Sequence, residues 1–114
     1  MIKFNAFPGG RRFAVTLSYD DGSCHDKQLI ALFNQYGLKG TFHLNSASLG
    51  TMDRIKPEEV VEVYKGHEVA CHTATHPFPD ELSPCDLVRE IIQDRIALEK
   101  ITGGESMYQS PTDM

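Results

Sequence analysis

The chain has 114 residues, 40% hydrophobic and 24% charged, which excludes disorder, collagen and low complexity and allows one domain with one modest core. Its formal charge of −5, without a basic cluster, argues against gripping nucleic acid or an anionic membrane. No apolar run approaches the roughly 18 residues of a membrane span, and residues 1–13 carry no long apolar signal stretch, so a cytoplasmic location is expected.

The elements follow in order. Residues 13–19, FAVTLSY, are rich in β-formers between Gly9-Gly10 and Asp21-Gly22, and predict a first strand. Asp26 can cap a helix with an apolar stripe of Leu29, Ile30, Leu32, Phe33 and Tyr36, with Gly37 at its C′ position. Residues 40–45, GTFHLN, predict a second strand. A short helix begins at Pro57, carries Glu58 and Glu59 in its first turn, turns Val60, Val61 and Tyr64 inward and stops before Gly66. Residues 67–72, HEVACH, predict a third strand. Ser83 and Pro84 open the longest helix, whose Leu87, Val88, Ile91, Ile92, Leu98 and Ile101 recur at helical spacing up to Gly103-Gly104. A further short strand around Met107 and Tyr108 is expected in a tail of residues 105–114.

The three strand runs begin at 13, 40 and 67, a constant step of 27 residues. That is the length of a βα unit and too long for a hairpin. The fold class expected is α/β, a parallel βαβαβα unit with right-handed crossovers. In parallel sheets ligands gather at the carboxyl ends of the strands.

The first strand ends in Ser18-Tyr19-Asp20-Asp21-Gly22. Asp-Gly alone is ordinary turn punctuation. The adjacent carboxylates are less ordinary, because each disfavours the other's charge unless a cation separates their tasks. A bound metal would take one and leave its neighbour free as a base. The third strand ends in Cys71-His72-Thr73-Ala74-Thr75-His76-Pro77, where a bent loop would bring two imidazoles together. Asp21, His72 and His76 then offer two nitrogens and one oxygen, a facial set that leaves coordination positions open for water and substrate. Asp20 stands beside it as a free carboxylate. Cys24, Cys71 and Cys85 are odd in number and form no CxxC, so they read as free thiols.

Tyr19-Asp20-Asp21-Gly22 and His72-Thr73-Ala74-Thr75-His76-Pro77 resemble the first two motifs of the polysaccharide deacetylases, the NodB-like domain of carbohydrate esterase family four. Residues 35–42, QYGLKGTF, are similar to that family's second βα unit. The resemblance runs from about residue 11 to residue 104. It implies a distorted (β/α)7, TIM-like barrel of which residues 1–114 form a single partial domain, the first half. It implies Asp20 as catalytic base and Asp21, His72 and His76 as ligands of a divalent metal ion, usually zinc. The implied reaction is hydrolysis of N- or O-acetyl groups on a carbohydrate, with release of acetate.

The family's third motif, an Arg- or Gly-rich strand end with a Pro-Tyr turn, orients the base and donates an N–H to the oxyanion. After Gly104 the chain offers Glu105-Ser106-Met107-Tyr108-Gln109-Ser110-Pro111 in its place. The expectation is therefore a truncated or degenerate member, either a deacetylase, a metal-binding but inactive fragment, or an oligomerising scaffold. Half a barrel leaves strand edges and apolar helix faces uncovered, so a homo-oligomer is expected. His43 reads as a packed strand residue and His25 as an exposed loop residue, while Asn45 ends its strand where it could line the cleft.

Overall fold

A computed structural model describes residues 5–103. Three parallel strands lie in chain order: β1 (Ser18–Asp20), β2 (Thr41–Leu44) and β3 (Glu68–Cys71). Helix α1 (Asp26–Tyr36) joins the first two. A single-turn α2 (Val60–Val63), entered through a tight turn at Pro57–Glu59, joins the second and third. Helix α3 (Pro84–Thr102) follows β3. The expected α/β alternation is present. The strand proposed at Met107 and Tyr108 lies outside the described residues.

The register explains the two characters of the sheet. Ser18 pairs with Thr41, which pairs with Glu68; Tyr19 with Phe42 and Val69; Asp20 with His43 and Ala70. Neighbours in one row share a face because side chains alternate along each strand. The Phe42 row is apolar: Tyr19 stacks on Phe42 with ring centroids 5.9 Å apart, and Phe33 of α1 and Tyr64 pack on the same ring. Phe33, Phe42 and Tyr64 form the buried core with Ile30, Leu44, Leu49, Ile55, Val60, Val69 and Leu98, while Tyr19 stays partly exposed at its edge. The alternate rows, Ser18-Thr41-Glu68 and Asp20-His43-Ala70, put most of their side-chain polarity on the opposite face.

Several expectations are corrected. Residues 13–17 do not join the sheet as a strand, and Phe13 and Val15 are more than four-fifths exposed. The ladder begins with Ser18 opposite Thr41; before it, the Leu17 carbonyl accepts the Thr41 N–H at 2.8 Å. The paired residues thus step by 23 and then 27 positions instead of a constant 27. Asp26 does not cap α1 from outside. It is buried in the first turn and accepts the Tyr64 hydroxyl at 2.6 Å, and burial raises its carboxyl above the usual range. Of the predicted stripes only part is covered: Leu32, Tyr36 and Val61 are exposed, as are Val88, Ile91 and Ile92 on α3. Leu98 is fully buried on the sheet side of α3. Among the described residues no element lies over the outer face of α3.

Helix ends follow the sequence signals. Ser83 accepts the Asp86 N–H at 3.1 Å, and Pro84 occupies the first turn of α3. Gly37 and Gly103 take left-handed conformations at the ends of α1 and α3.

His67, just before β3, gives a testable pH dependence. The Gly40 N–H donates to its Nδ1 at 3.1 Å, so Nε2 carries the proton and faces Asn34 Oδ1 at 2.9 Å. Burial, and secondarily Lys39, hold its pKa below the ordinary value. The unfolded chain therefore takes up this proton at higher pH than the folded one. The His67 contribution to stability is present above about pH 6.5 and is lost as pH falls through the lower folded value. Thermal melts from pH 7.5 to 5 should show wild type losing more stability than His67→Gln. Parallel slopes would refute the assignment.

Candidate functional site

Asp20, the last residue of β1, and Asp21, the next residue, sit beside the loop that leaves β3. Asp21 has φ 76°, in the left-handed region, and its N–H donates to the His43 carbonyl at 2.8 Å. Gly22 follows with φ 65°, and a Cβ there would stand 3.0 Å from Leu44 Cδ2. The Asp-Asp-Gly sequence is thus a tight turn in which glycine is required by both conformation and space.

The His72–His76 loop is also held in unusual backbone. Thr73 has φ 69° and His76 φ 56°. A β-branched residue in that region is a true outlier, and such strain persists only where surroundings impose it. Here the restraints are identifiable. Asn45 is buried and donates its side-chain amide to the carbonyls of His72 and Thr73, at 2.6 and 2.9 Å. Glu90 of α3 accepts the Thr75 N–H and hydroxyl, each at 2.9 Å. Asp94, also on α3 and fully buried, accepts the His72 N–H at 2.8 Å and the Ser46 N–H at 2.7 Å. One carboxylate therefore ties together the carboxyl ends of β2 and β3.

The folded loop brings the predicted site residues together. The rings of His72 and His76 lie 5.1 Å apart. His72 Nε2 is 3.7 Å and His76 Nε2 3.6 Å from Asp21 Oδ1. These distances are too long for hydrogen bonds. They suit donors flanking one cation, since two ligands each about 2.1 Å from a tetrahedral zinc lie about 3.4 Å apart. Asp21 Oδ1 is shut off from solvent and accepts no hydrogen bond among the described residues, as a carboxylate oxygen reserved for a cation would. One donor atom from each of Asp21, His72 and His76 falls within 4.8 Å of the others. The donor set, two imidazoles and a carboxylate, fits a borderline divalent ion such as zinc.

Asp20 is the neighbouring carboxylate. Its Oδ2 is 3.9 Å from His72 Nε2, while its Oδ1 is 3.1 Å from His43 Nδ1. His43 is therefore not simply a packed strand residue, because its ring meets Asp20 across the β1–β2 register. Asn45 does not line an open cleft but anchors the histidine loop from below. His25 is exposed, as expected. Cys71 packs against the core, and burial pushes its thiol up to about 11, so it stays protonated beside the site.

Asp94 was missed in the sequence, although a signal exists. Positions 87, 94, 98 and 101 share one helical stripe, and a carboxylate at the inward position 94 breaks its apolar character. A buried carboxylate on such a stripe has to meet donors, and here those are two strand-end N–H groups.

A family model described as polysaccharide deacetylase matches residues 9–112. The chain belongs to the polysaccharide deacetylase family. A chitin deacetylase of Pestalotiopsis sp. is 27% identical over 96 residues, covering 83% of this chain and 32% of that protein. The Streptococcus pyogenes deacetylase PplD, solved in complex with acetate, superposes with a TM-score of 0.79 at 20% identity, over 90% of this chain and 46% of that one. The chitin deacetylase of the fungal pathogen Colletotrichum lindemuthianum gives 0.63 at 28% identity, over 77% and 40%. This member of the family thus spans less than half the length of these relatives.

Proposed function

We propose that the chain carries the metal-binding half of a metal-dependent carbohydrate deacetylase, which hydrolyses N- or O-acetyl groups and releases acetate. The observation that carries the reading is the convergence of Asp21, His72 and His76 around the orphaned Asp21 Oδ1, with Asp20 alongside. Family membership and likeness to two chitin deacetylases support an acetylated carbohydrate as substrate. The three βα units are read as the first half of the TIM-like barrel that the resemblance implies.

Asp21, His72 and His76 would hold the ion, zinc first among candidates. When bound, a divalent ion polarises an acyl oxygen and brings the pKa of water from about 15.7 toward neutrality. Asp20 accepts the proton of the attacking water through Oδ2, the oxygen on the His72 side. The strained loop keeps both imidazoles fixed before substrate arrives, so orientation is set by folding and not by the reaction.

The test is acetate release from a chitooligosaccharide with added zinc, by wild type and Asp20→Asn, together with their bound zinc. Asp20→Asn should retain zinc and lose about 10²–10⁴-fold in turnover, the usual range for a general base. Zinc binding by a wild type that releases no acetate would favour the inactive metal-binding reading. A chain that binds no zinc would favour the scaffold reading.

Self-association belongs to the same proposal. The outer face of α3 exposes Val88, Ile91, Ile92 and Ile96, and contiguous apolar surface of this kind favours association. Sedimentation at tens of micromolar should show a dimer or larger species, reduced by Ile92→Lys. A monomer throughout that range would remove the idea.

A further inference from the structure

The loop that carries His72 and His76 leaves β3 and meets α3. Its first three residues, His72 to Ala74, are joined to the segment that follows β2. Asn45 binds the carbonyls of His72 and Thr73, and the Ala47 N–H donates to the Ala74 carbonyl at 3.0 Å. Thr75 is held from α3 instead. Its N–H donates to Glu90 Oε2 and its hydroxyl to Glu90 Oε1, each at 2.9 Å. One carboxylate thus grips the residue next to His76 with both of its oxygens.

Helix geometry makes the grip possible. Asp94 accepts the His72 N–H, and Glu90 lies one turn earlier on α3, about 6 Å along the axis at 1.5 Å per residue. Two carboxylates on one helix face therefore meet the start and the end of the loop. Within the helix alone this arrangement is unfavourable, because like charges four positions apart repel. The loop donors offset that repulsion. His76 has the least burial of the three candidate ligands to hold it: its side chain is 57% exposed, against 40% for Asp21 and 32% for His72. Its backbone also stands in the left-handed region, which a histidine keeps only under restraint.

We propose that Glu90 is a positioning residue for His76: its two-point grip on Thr75 fixes the backbone from which His76 Nε2 reaches to 3.6 Å from Asp21 Oδ1. The proposal rests on reading His76 as a ligand of a divalent ion. It gives Glu90 no contact with the ion or the substrate. Glu90 acts through the shape of the loop and not through its charge.

Zinc titration of the intact chain tests it, with no need for turnover. Glu90→Ala should bind zinc about 10–100-fold more weakly, the usual cost of losing a partner that supports a metal ligand. The melting temperature of the metal-free chain should barely move, because Glu90 is only partly buried and alanine is a strong helix former. Glu90→Gln should recover most of the affinity. Its amide oxygen can accept the Thr75 N–H, and its NH₂ can donate to the Thr75 hydroxyl oxygen once that hydroxyl rotates. In a His76→Ala background, Glu90→Ala should cost nothing further, since the residue it positions is gone. Unchanged affinity in Glu90→Ala, a loss in Glu90→Gln as large as in Glu90→Ala, or equal losses with and without His76 would each overturn the proposal. A second readout uses the metal-free chain: hydrogen exchange at the Thr75 amide should quicken about tenfold in Glu90→Ala, as loss of a charge-assisted hydrogen bond implies. Unchanged exchange there overturns the anchoring itself. If wild type takes up no zinc, the metal reading fails instead, and the Thr75 exchange alone decides the anchoring.

Discussion

His76→Ala should bind zinc at least about 10²-fold more weakly than wild type, and Asp21→Asn should do the same. Loss of a supporting partner already costs about 10–100-fold at metal sites, and these residues would be direct ligands. The reason is specific to each. His76 stands 3.6 Å from the orphaned Asp21 Oδ1 and is held with φ 56° in the strained loop, so its loss removes one of the three converging donors. Asp21→Asn keeps the shape but removes the negative charge and offers an amide where a cation would need an oxygen anion. Calorimetric titration with zinc, backed by elemental analysis after dialysis, measures both. Equal zinc content in wild type and His76→Ala would show that the three donors do not form the site.

Asp94→Ala should both destabilise the fold and weaken zinc binding, although Asp94 is not among the candidate ligands. It deprives the Ser46 N–H of its acceptor and leaves the His72 N–H with the longer 3.1 Å bond to the Leu44 carbonyl. Two charge-assisted bonds lost in a fully buried position cost about 3 kcal/mol. Asp94→Asn should not restore it, because one carboxylate oxygen becomes an NH₂ facing an N–H donor. Stability alone does not separate this role from ordinary packing, so Leu98→Ala serves as control. Leu98 lies one turn further along α3, is fully buried, and its truncation should cost about 2–5 kcal/mol. Measured well below both melting temperatures, zinc affinity should fall about 10–100-fold in Asp94→Ala and stay unchanged in Leu98→Ala. Zinc binding by Asp94→Ala at the wild-type level would show that the carboxylate supports the fold without positioning His72.

The sequence by itself determined the elements and most of the candidate site. Strand-forming runs, caps such as Ser83 and terminators such as Gly37 and Gly103 act over a few residues, so they are legible without a fold. Asp20, Asp21, His72 and His76 were legible because their side-chain chemistry is rare at strand ends, and because Asp-Asp-Gly and the two histidines four positions apart resemble family motifs. Tertiary structure decided what depends on partners distant in sequence. Residues 13–17 have good strand chemistry yet stay outside β1, since the register begins at Ser18 opposite Thr41. Val88, Ile91 and Ile92 have helical periodicity, but periodicity does not supply a surface to cover them. His43 looked like packing because its row-mate Asp20 lies 23 residues earlier, and only the parallel register sets them side by side. Asp94 looked like one more helical carboxylate until the close of α3 over the sheet delivered two strand-end N–H groups to it. Local propensity and side-chain chemistry are written along the chain, whereas register and burial are properties of pairs that folding alone brings together.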